Sequence, residues 1–266
     1  MRESLALIRV SWLTQSSYRM GMIVSLLGLI FVLLPLYFIA NALQPTMQHT
    51  IAAEARQYFG FVVLGAVCFS LASTCTTALP SALEGAIGKG TLEAILGTPA
   101  RLVAVCVGLM GYVVLWAIVR ATILLTVAMA LGADIIWRAA PAGAAVVVLT
   151  MLSYVGLGLI FSALILLFRT TGPIPTLVLT ASMFLGGVYY PASVIPSWIR
   201  NVAEFLPLTY GLRAIRRIVL RGEAISTVAP DVFMLIMMTT VSIAVGVGLF
   251  HFALRRARRN GTLSSY

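Results

Sequence analysis

Six apolar stretches, at 22–42, 58–79, 102–131, 142–168, 173–190 and 232–254, fix what this chain can fold into. Each is long enough to cross the ~30 Å hydrocarbon core of a bilayer as a helix, which takes about 17–25 residues. In hydrocarbon every backbone N–H and C=O must be satisfied within the protein, and only helices and closed barrels achieve that. The stretches are continuously apolar rather than alternating in short runs, so a barrel is excluded. The expected fold is all-α and integral to the membrane, a single transmembrane domain over residues 1–266. Composition agrees: 61% of residues are hydrophobic, 10% are charged, and mean hydropathy is +1.03. A soluble domain carries about 25% charged residues, so a cytosolic enzyme, a disordered chain and a fibrous repeat are set aside. The three cysteines form no C-x-x-C pair, so neither a disulfide framework nor a metal site is expected.

The net charge of +10 belongs, in a membrane chain, to flanks that face anionic lipid, and no nucleic-acid partner is expected. Orientation follows the Lys and Arg of the flanks. With the N-terminus inside, the cytoplasmic parts hold Arg2, Arg9, Arg19, Lys89, Arg101, Arg169, Arg255, Arg256, Arg258 and Arg259. The first two outer loops hold only Arg56 and Arg138, but the last holds Arg200, Arg213, Arg216, Arg217 and Arg221. Both termini are therefore expected in the cytoplasm, with the last outer loop as an exception that needs its own explanation. Ala40-Asn41-Ala42 resembles a signal-cleavage site, but the preceding apolar run exceeds the 7–15 residues of a signal core, so the first span is kept.

Three segments are amphipathic without spanning. Residues 1–21 carry Leu5, Ile8 and Trp12 at helical spacing with Arg2, Arg9 and Gln15 elsewhere on the wheel. That pattern fits a helix in the cytoplasmic interface, with a frayed charged flank as the alternative. The 80–101 loop contains Gly88-Lys89, yet Leu83 stands where a P-loop needs Gly and Gly90 where it needs Ser or Thr, so no nucleotide site is expected. It reads instead as a short helix capped by Thr91, with Leu92, Ile95 and Leu96 on one face and Gly97 and Pro99 as the stop. Such a helix suits docking to a soluble partner or lying on the lipid surface. Residues 191–222 are too apolar for an ordinary loop and too broken to span. Pro196 and Trp198 open one short helix, and Gly211 to Gly222 form a basic amphipathic one closed by glycine. They read as re-entrant or interfacial helices, with an ordinary outer amphipathic loop as the alternative.

Two blocks of residues resemble the type-two permease family of ABC exporters, the daunorubicin-resistance and polysaccharide-export type. One is Gly90-Thr91-Leu92-Glu93 followed by Leu96, Thr98 and Pro99. The other is Phe184-Leu185-Gly186-Gly187-Val188-Tyr189-Tyr190-Pro191, continuing through Ile195-Pro196, Pro207-Leu208-Thr209-Tyr210 and Arg213 to Gly222. The resemblance implies an inner, plasma-membrane permease of bacterial type that pairs with a second copy, a homodimer, and with a cytoplasmic ABC ATPase subunit. ATP and Mg would sit on that partner, leaving no cofactor on this chain. The 80–101 loop would be the coupling helix, with Glu84, Lys89, Thr91, Leu92, Glu93, Leu96, Thr98, Pro99 and Arg101 at the ATPase contact. The re-entrant helices of 191–222 would lie near the exit of the transport path. Phe184, Tyr189, Tyr190, Pro191, Trp198, Pro207, Tyr210 and Arg213 would line the path or its outer gate.

Arg120 lies inside the third span, outside any motif of that family. A charge there costs about 2.5–3.5 kcal/mol on insertion scales, so it is read as ion-paired or snorkelling, with a role in the path as the alternative. Cys68 and Cys75 share a helix face as packing residues, and Ala244 and Gly248 are expected at a close helix contact. No G-x-S-x-G, H-E-x-x-H or intramembrane carboxylate pair occurs, so catalytic residues are expected to be none and a membrane-embedded enzyme lacks its reacting groups. A channel would need a charged ring or filter loop. The function that the family resemblance implies is export of an amphipathic, drug-like or lipid-like substrate by alternating access. A lipid-linked polysaccharide is the alternative cargo.

Overall fold

A computed structural model of the chain describes residues 19–90, 102–168, 172–191 and 194–259. They form eight α-helices: α1 Arg19–Ile51, α2 Tyr58–Gly88, α3 Leu102–Ala130, α4 Ala140–Phe168, α5 Ile174–Leu185, α6 Ser197–Ala203, α7 Pro207–Arg221 and α8 Ala229–Arg259. Short 3₁₀ turns at Trp137–Ala139 and Ile225–Val228 lead into α4 and α8. Among the described residues there is no strand, and the all-helical class holds. Among the described residues, four helical segments are long and apolar enough to cross a membrane: Tyr58–Gly88, Cys106–Ala130, Trp137–Phe168 and Ile225–Ala257.

Helix α4 is the centre of the bundle. It packs most extensively against α8 on one side and α2 on the other, while α3 and α1 pack on α2. Without water in the bilayer, such contacts rest on close packing, and small residues let the backbones approach. A Cβ added at Gly156 of α4 would lie 2.6 Å from the Ser242 carbonyl carbon of α8 and 2.8 Å from the Ile243 nitrogen. One added at Gly246 would lie 2.6 Å from the Gly156 carbonyl oxygen. The contact register is therefore Ser242 and Gly246. Ala244 and Gly248, the pair expected from the sequence, sit two residues round the helix and are exposed, and nothing lies within 4 Å of Gly248.

The α2–α4 crossing uses another device. Pro80 lies inside α2, and a proline removes the amide that would bond to the carbonyl four residues earlier, here that of Thr76. Gly158 of α4 fits against this point, its missing Cβ standing 2.9 Å from the carbonyl oxygens of both Cys75 and Thr76. Helix α2 thus continues through Pro80 to Gly88, beyond residue 79 where the apolar stretch ends.

Helix α5 is the other departure. The sequence offers a span over 173–190, but the helix covers 12 residues, about 18 Å at ~1.5 Å per residue. It stops at Gly186, and Gly187 has φ +82, a conformation that glycine adopts without strain. Tyr154 of α4 holds it by donating a hydrogen bond of 2.8 Å to Ser182 Oγ.

Alternate connections meet at one end. The Gln57 side chain donates to the Gly132 carbonyl (3.1 Å) and accepts from the Asp134 amide (3.2 Å), joining the α1–α2 link to the α3–α4 link. The Ile136 amide donates to the Val219 carbonyl of α7 at 2.9 Å. Substituting Gly156→Leu should abolish the α4–α8 contact and with it most of the folded yield in detergent. Gly248→Leu should leave yield and thermal midpoint within error of the parent, as read by size-exclusion fluorescence.

Candidate functional site

Helix α7 carries its charges at Arg213, Arg216, Arg217 and Arg221, between apolar residues that are buried. Leu206 and Pro207 open it, Pro being suited to the first helical turn, and Gly222 at φ +73 closes it. The helix packs on α4, α8 and α2. Gly211 permits the α4 contact, because a Cβ there would collide with the Thr150 hydroxyl.

Arg216 is 1% exposed, the largest fully buried side chain among the described residues. A charge in that position is tolerated only if it is paired and hydrogen-bonded. Its Nη1 donates to Glu54 Oε2 at 3.2 Å and to the Gly187 carbonyl at 2.8 Å. Its Nη2 donates to the carbonyls of Phe61 (3.1 Å) and Val188 (2.9 Å). The guanidinium carbon lies 3.4 Å from the centroid of the Phe61 ring, a stacked cation–π arrangement. Nε alone is buried without a partner. Gly65 makes room: a Cβ there would stand 2.7 Å from Arg216 Nη2 and would strike the Val188 carbonyl oxygen. Desolvation lowers the guanidinium to about 10, with Glu54 acting in the opposite direction, so it stays charged at neutral pH.

The remaining arginines of α7 are compensated in a second layer. Arg213 pairs with Asp231 at 3.1 Å. Arg217 pairs with Glu223 at 2.7 Å and lies 3.8 Å from Asp231. Arg221 lies 3.4 Å from Glu223 and donates to the Ala53 carbonyl at 2.8 Å. The excess of arginine between α5 and α8 is thus largely neutralised by acids that fold against it. Beside this layer opens a polar basin of about 570 Å³, lined by Thr50, Glu54, Pro191, Arg200, Glu204, Arg213, Arg217 and Arg221.

The residues expected at an outer gate are only partly brought together. Pro191 and Arg213 line the basin. Tyr210 is buried beneath Arg213, whose guanidinium lies 5.6 Å from its ring centroid. Tyr189 is half-buried and its carbonyl accepts from the Tyr58 hydroxyl at 2.9 Å. Tyr190 is also half-buried and Pro207 is buried. Phe184 and Trp198 stand apart, 47% and 73% exposed. Glu84 and Lys89 are exposed near the opposite end of α2, about 40 Å along its axis from Phe61. Thr91, Leu92, Glu93, Leu96, Thr98, Pro99 and Arg101, like nearly all of the 1–21 segment, lie outside the described residues. Arg120 is half-buried on α3, and His251 is exposed on α8 with Nδ1 3.1 Å from the Val247 carbonyl.

Glu54, Phe61, Gly65 and Arg216 escape a reading of the sequence. The excess of arginine in the segment expected to lie outside signals that something must neutralise it, but not which acid or which arginine is involved. Arg216→Ala should strand Glu54 and three carbonyls and cost about 3–5 kcal/mol, the range for breaking a buried pair. Arg216→Lys should recover less than half of that, because an ammonium cannot reproduce the planar fork. Thermal unfolding of the purified protein in detergent checks both.

A family model described as ABC-2 type transporter matches residues 3–220. The chain is 31% identical over 164 residues to Nodulation protein J of Rhizobium leguminosarum bv. trifolii, covering 61% of this chain and 62% of that protein. It is 28% identical over 200 residues to Nodulation protein J of Rhizobium leguminosarum bv. viciae, covering 75% of this chain and 76% of that protein. The alignment with the first of these relatives thus spans less than two thirds of its length. With an all-helical, membrane-spanning fold and a family match over most of its residues, this chain belongs to the ABC-2 type transporter family.

Proposed function

We propose that this chain is the permease subunit of an ATP-driven exporter, moving an amphipathic, drug-like or lipid-like substrate out of the cytoplasm. Membership of the ABC-2 type transporter family carries the reading, together with a sequence that has no P-loop of its own. A separate ABC ATPase subunit would hold ATP and Mg and supply the work. In this reading α1 and the 173–190 segment, of which α5 is the helical part, join the four long helices to make six crossings, with both termini in the cytoplasm. The 80–101 segment seats on the ATPase, the 1–21 segment braces that contact, and α6 and α7 are re-entrant at the outer side. Two permease copies, most simply identical, enclose the path between them.

Alternating access needs the ATPase to bind two permease states with different free energies. Helix α2 reaches from the proposed contact, at Glu84 and Lys89, to the Phe61 carbonyl that Arg216 holds, so displacement of one end bears on the other. A lipid-linked polysaccharide is the second reading. The polar basin favours it, since fixed carboxylates and guanidiniums offer acceptors and donors to hydroxyl groups.

Purification of tagged permease with the ATPase encoded beside its gene tests the proposal. The parent should retain the ATPase, and Glu93→Ala with Leu96→Ala should release it or reduce coupled ATP hydrolysis at least tenfold. Purification of the parent alone, with no ATPase binding, would return the channel and membrane-enzyme readings to consideration.

A further inference from the structure

A second cavity lies on the opposite side of α7 from the basin. Arg213, Arg217 and Arg221 face the polar basin, whereas Ile215 and Val219 form the floor of an apolar groove of about 310 Å³. The groove is walled by α2 from Leu64 to Leu71, by α3 from Ile118 to Met129 and by α4 from Ala140 to Met151. Thr122 and Thr126 are in the wall, but their hydroxyls bond to the carbonyls of Ile118 (3.0 Å) and Ile123 (2.8 Å) of their own helix. They therefore add no free donor to the lining. A cavity this apolar has nothing to hold ordered water.

Its shape and position name an occupant. The α3 wall from Ile118 to Met129 is about 16 Å long, close to the ~15 Å depth of one leaflet of a ~30 Å hydrocarbon core. The groove opens sideways, because Ile118, Ala144 and Val148 on its lips are exposed. Its end is marked by Trp137, 65% exposed, a residue type that settles at the membrane–water interface. The adjacent Arg138 is also exposed and carries the charge that a phosphate requires at that level. We infer that this groove is a phospholipid site: one acyl chain lies along α3 beneath Trp137, and the phosphate sits beside Arg138. The inference is independent of the ATPase and of the cargo.

Native mass spectrometry of the full-length protein, purified in mild detergent and resupplied with phosphatidylglycerol vesicles, tests this. The parent should bind one phospholipid per chain saturably. Ala121→Trp and Ala144→Phe, which fill the groove, should lower occupancy at least fivefold at unchanged thermal midpoint. Arg138→Gln should lower it about threefold, and Val245→Phe, on the exposed face of α8, should leave it unchanged. Because a filled groove can also disturb folding, the parent supplies a separate test: absence of saturable binding of phosphatidylglycerol overturns the site. Equal lipid retention in the folded groove variants, or occupancy by a molecule without phosphate, overturns it as well.

Discussion

The end of the bundle where the connections meet is organised around one buried guanidinium. Arg216 draws α7 against α2 through the Phe61 carbonyl and ring, against the α1–α2 link through Glu54, and against the turn after α5 through Gly187 and Val188. Four of its five N–H donors are used. Its burial is not evidence of extra stability, since apolar replacements of buried ion pairs are often neutral or better. What the guanidinium provides is geometry. A planar fork bonded to three separate segments admits few arrangements of those segments, and a methyl group at Gly65 is enough to obstruct it.

The same interaction holds the turn that follows the short α5. The Gly187 and Val188 carbonyls, just beyond the end of that helix, accept from Arg216. The chain instead turns at Gly187, whose φ of +82 would strain any residue with a Cβ. The five arginines between α5 and α8, the segment expected to lie outside, follow a related logic. Positive charge opposes placement outside when it is free, but Glu54, Glu223 and Asp231 are folded against four of them. A count of arginines along the chain overstates the charge that this segment presents.

The helical class was legible because apolar runs as long as 102–131 have few other ways to satisfy their backbone in lipid. Helix α7 was legible too: its charges recur at helical spacing and Gly222 marks its end. Contacts between helices were not. The α4–α8 seam depends on rotation about the helix axis, and in α8 both Ala244 with Gly248 and Ser242 with Gly246 are small pairs four apart. Only the position of Gly156 distinguishes them. Glu54 and Arg216 are 162 residues apart, and no local pattern links them. The coupling residues from Thr91 to Arg101 rest on the family resemblance and on the proposal built from it.

Helix α7 is best understood as a partition. Its apolar face closes a groove that water does not favour, and its arginine face floors a basin that hydrocarbon does not favour. A helix with that division is stable at the boundary between membrane and water and poorly stable on either side of it. Arg216 fixes its depth, since sliding α7 by one turn, about 5.4 Å, would break all four bonds together. Helix α2 supplies one of those bonds and continues, through Pro80 and its contact with Gly158, to the exposed Glu84 and Lys89. A proline inside a helix is a place where bending costs few additional hydrogen bonds. On the proposed function, a push on the inner end of α2 is therefore either absorbed at Pro80 or delivered to the Arg216 network. The close seat of Gly158 against the Thr76 carbonyl restricts the first outcome and favours the second.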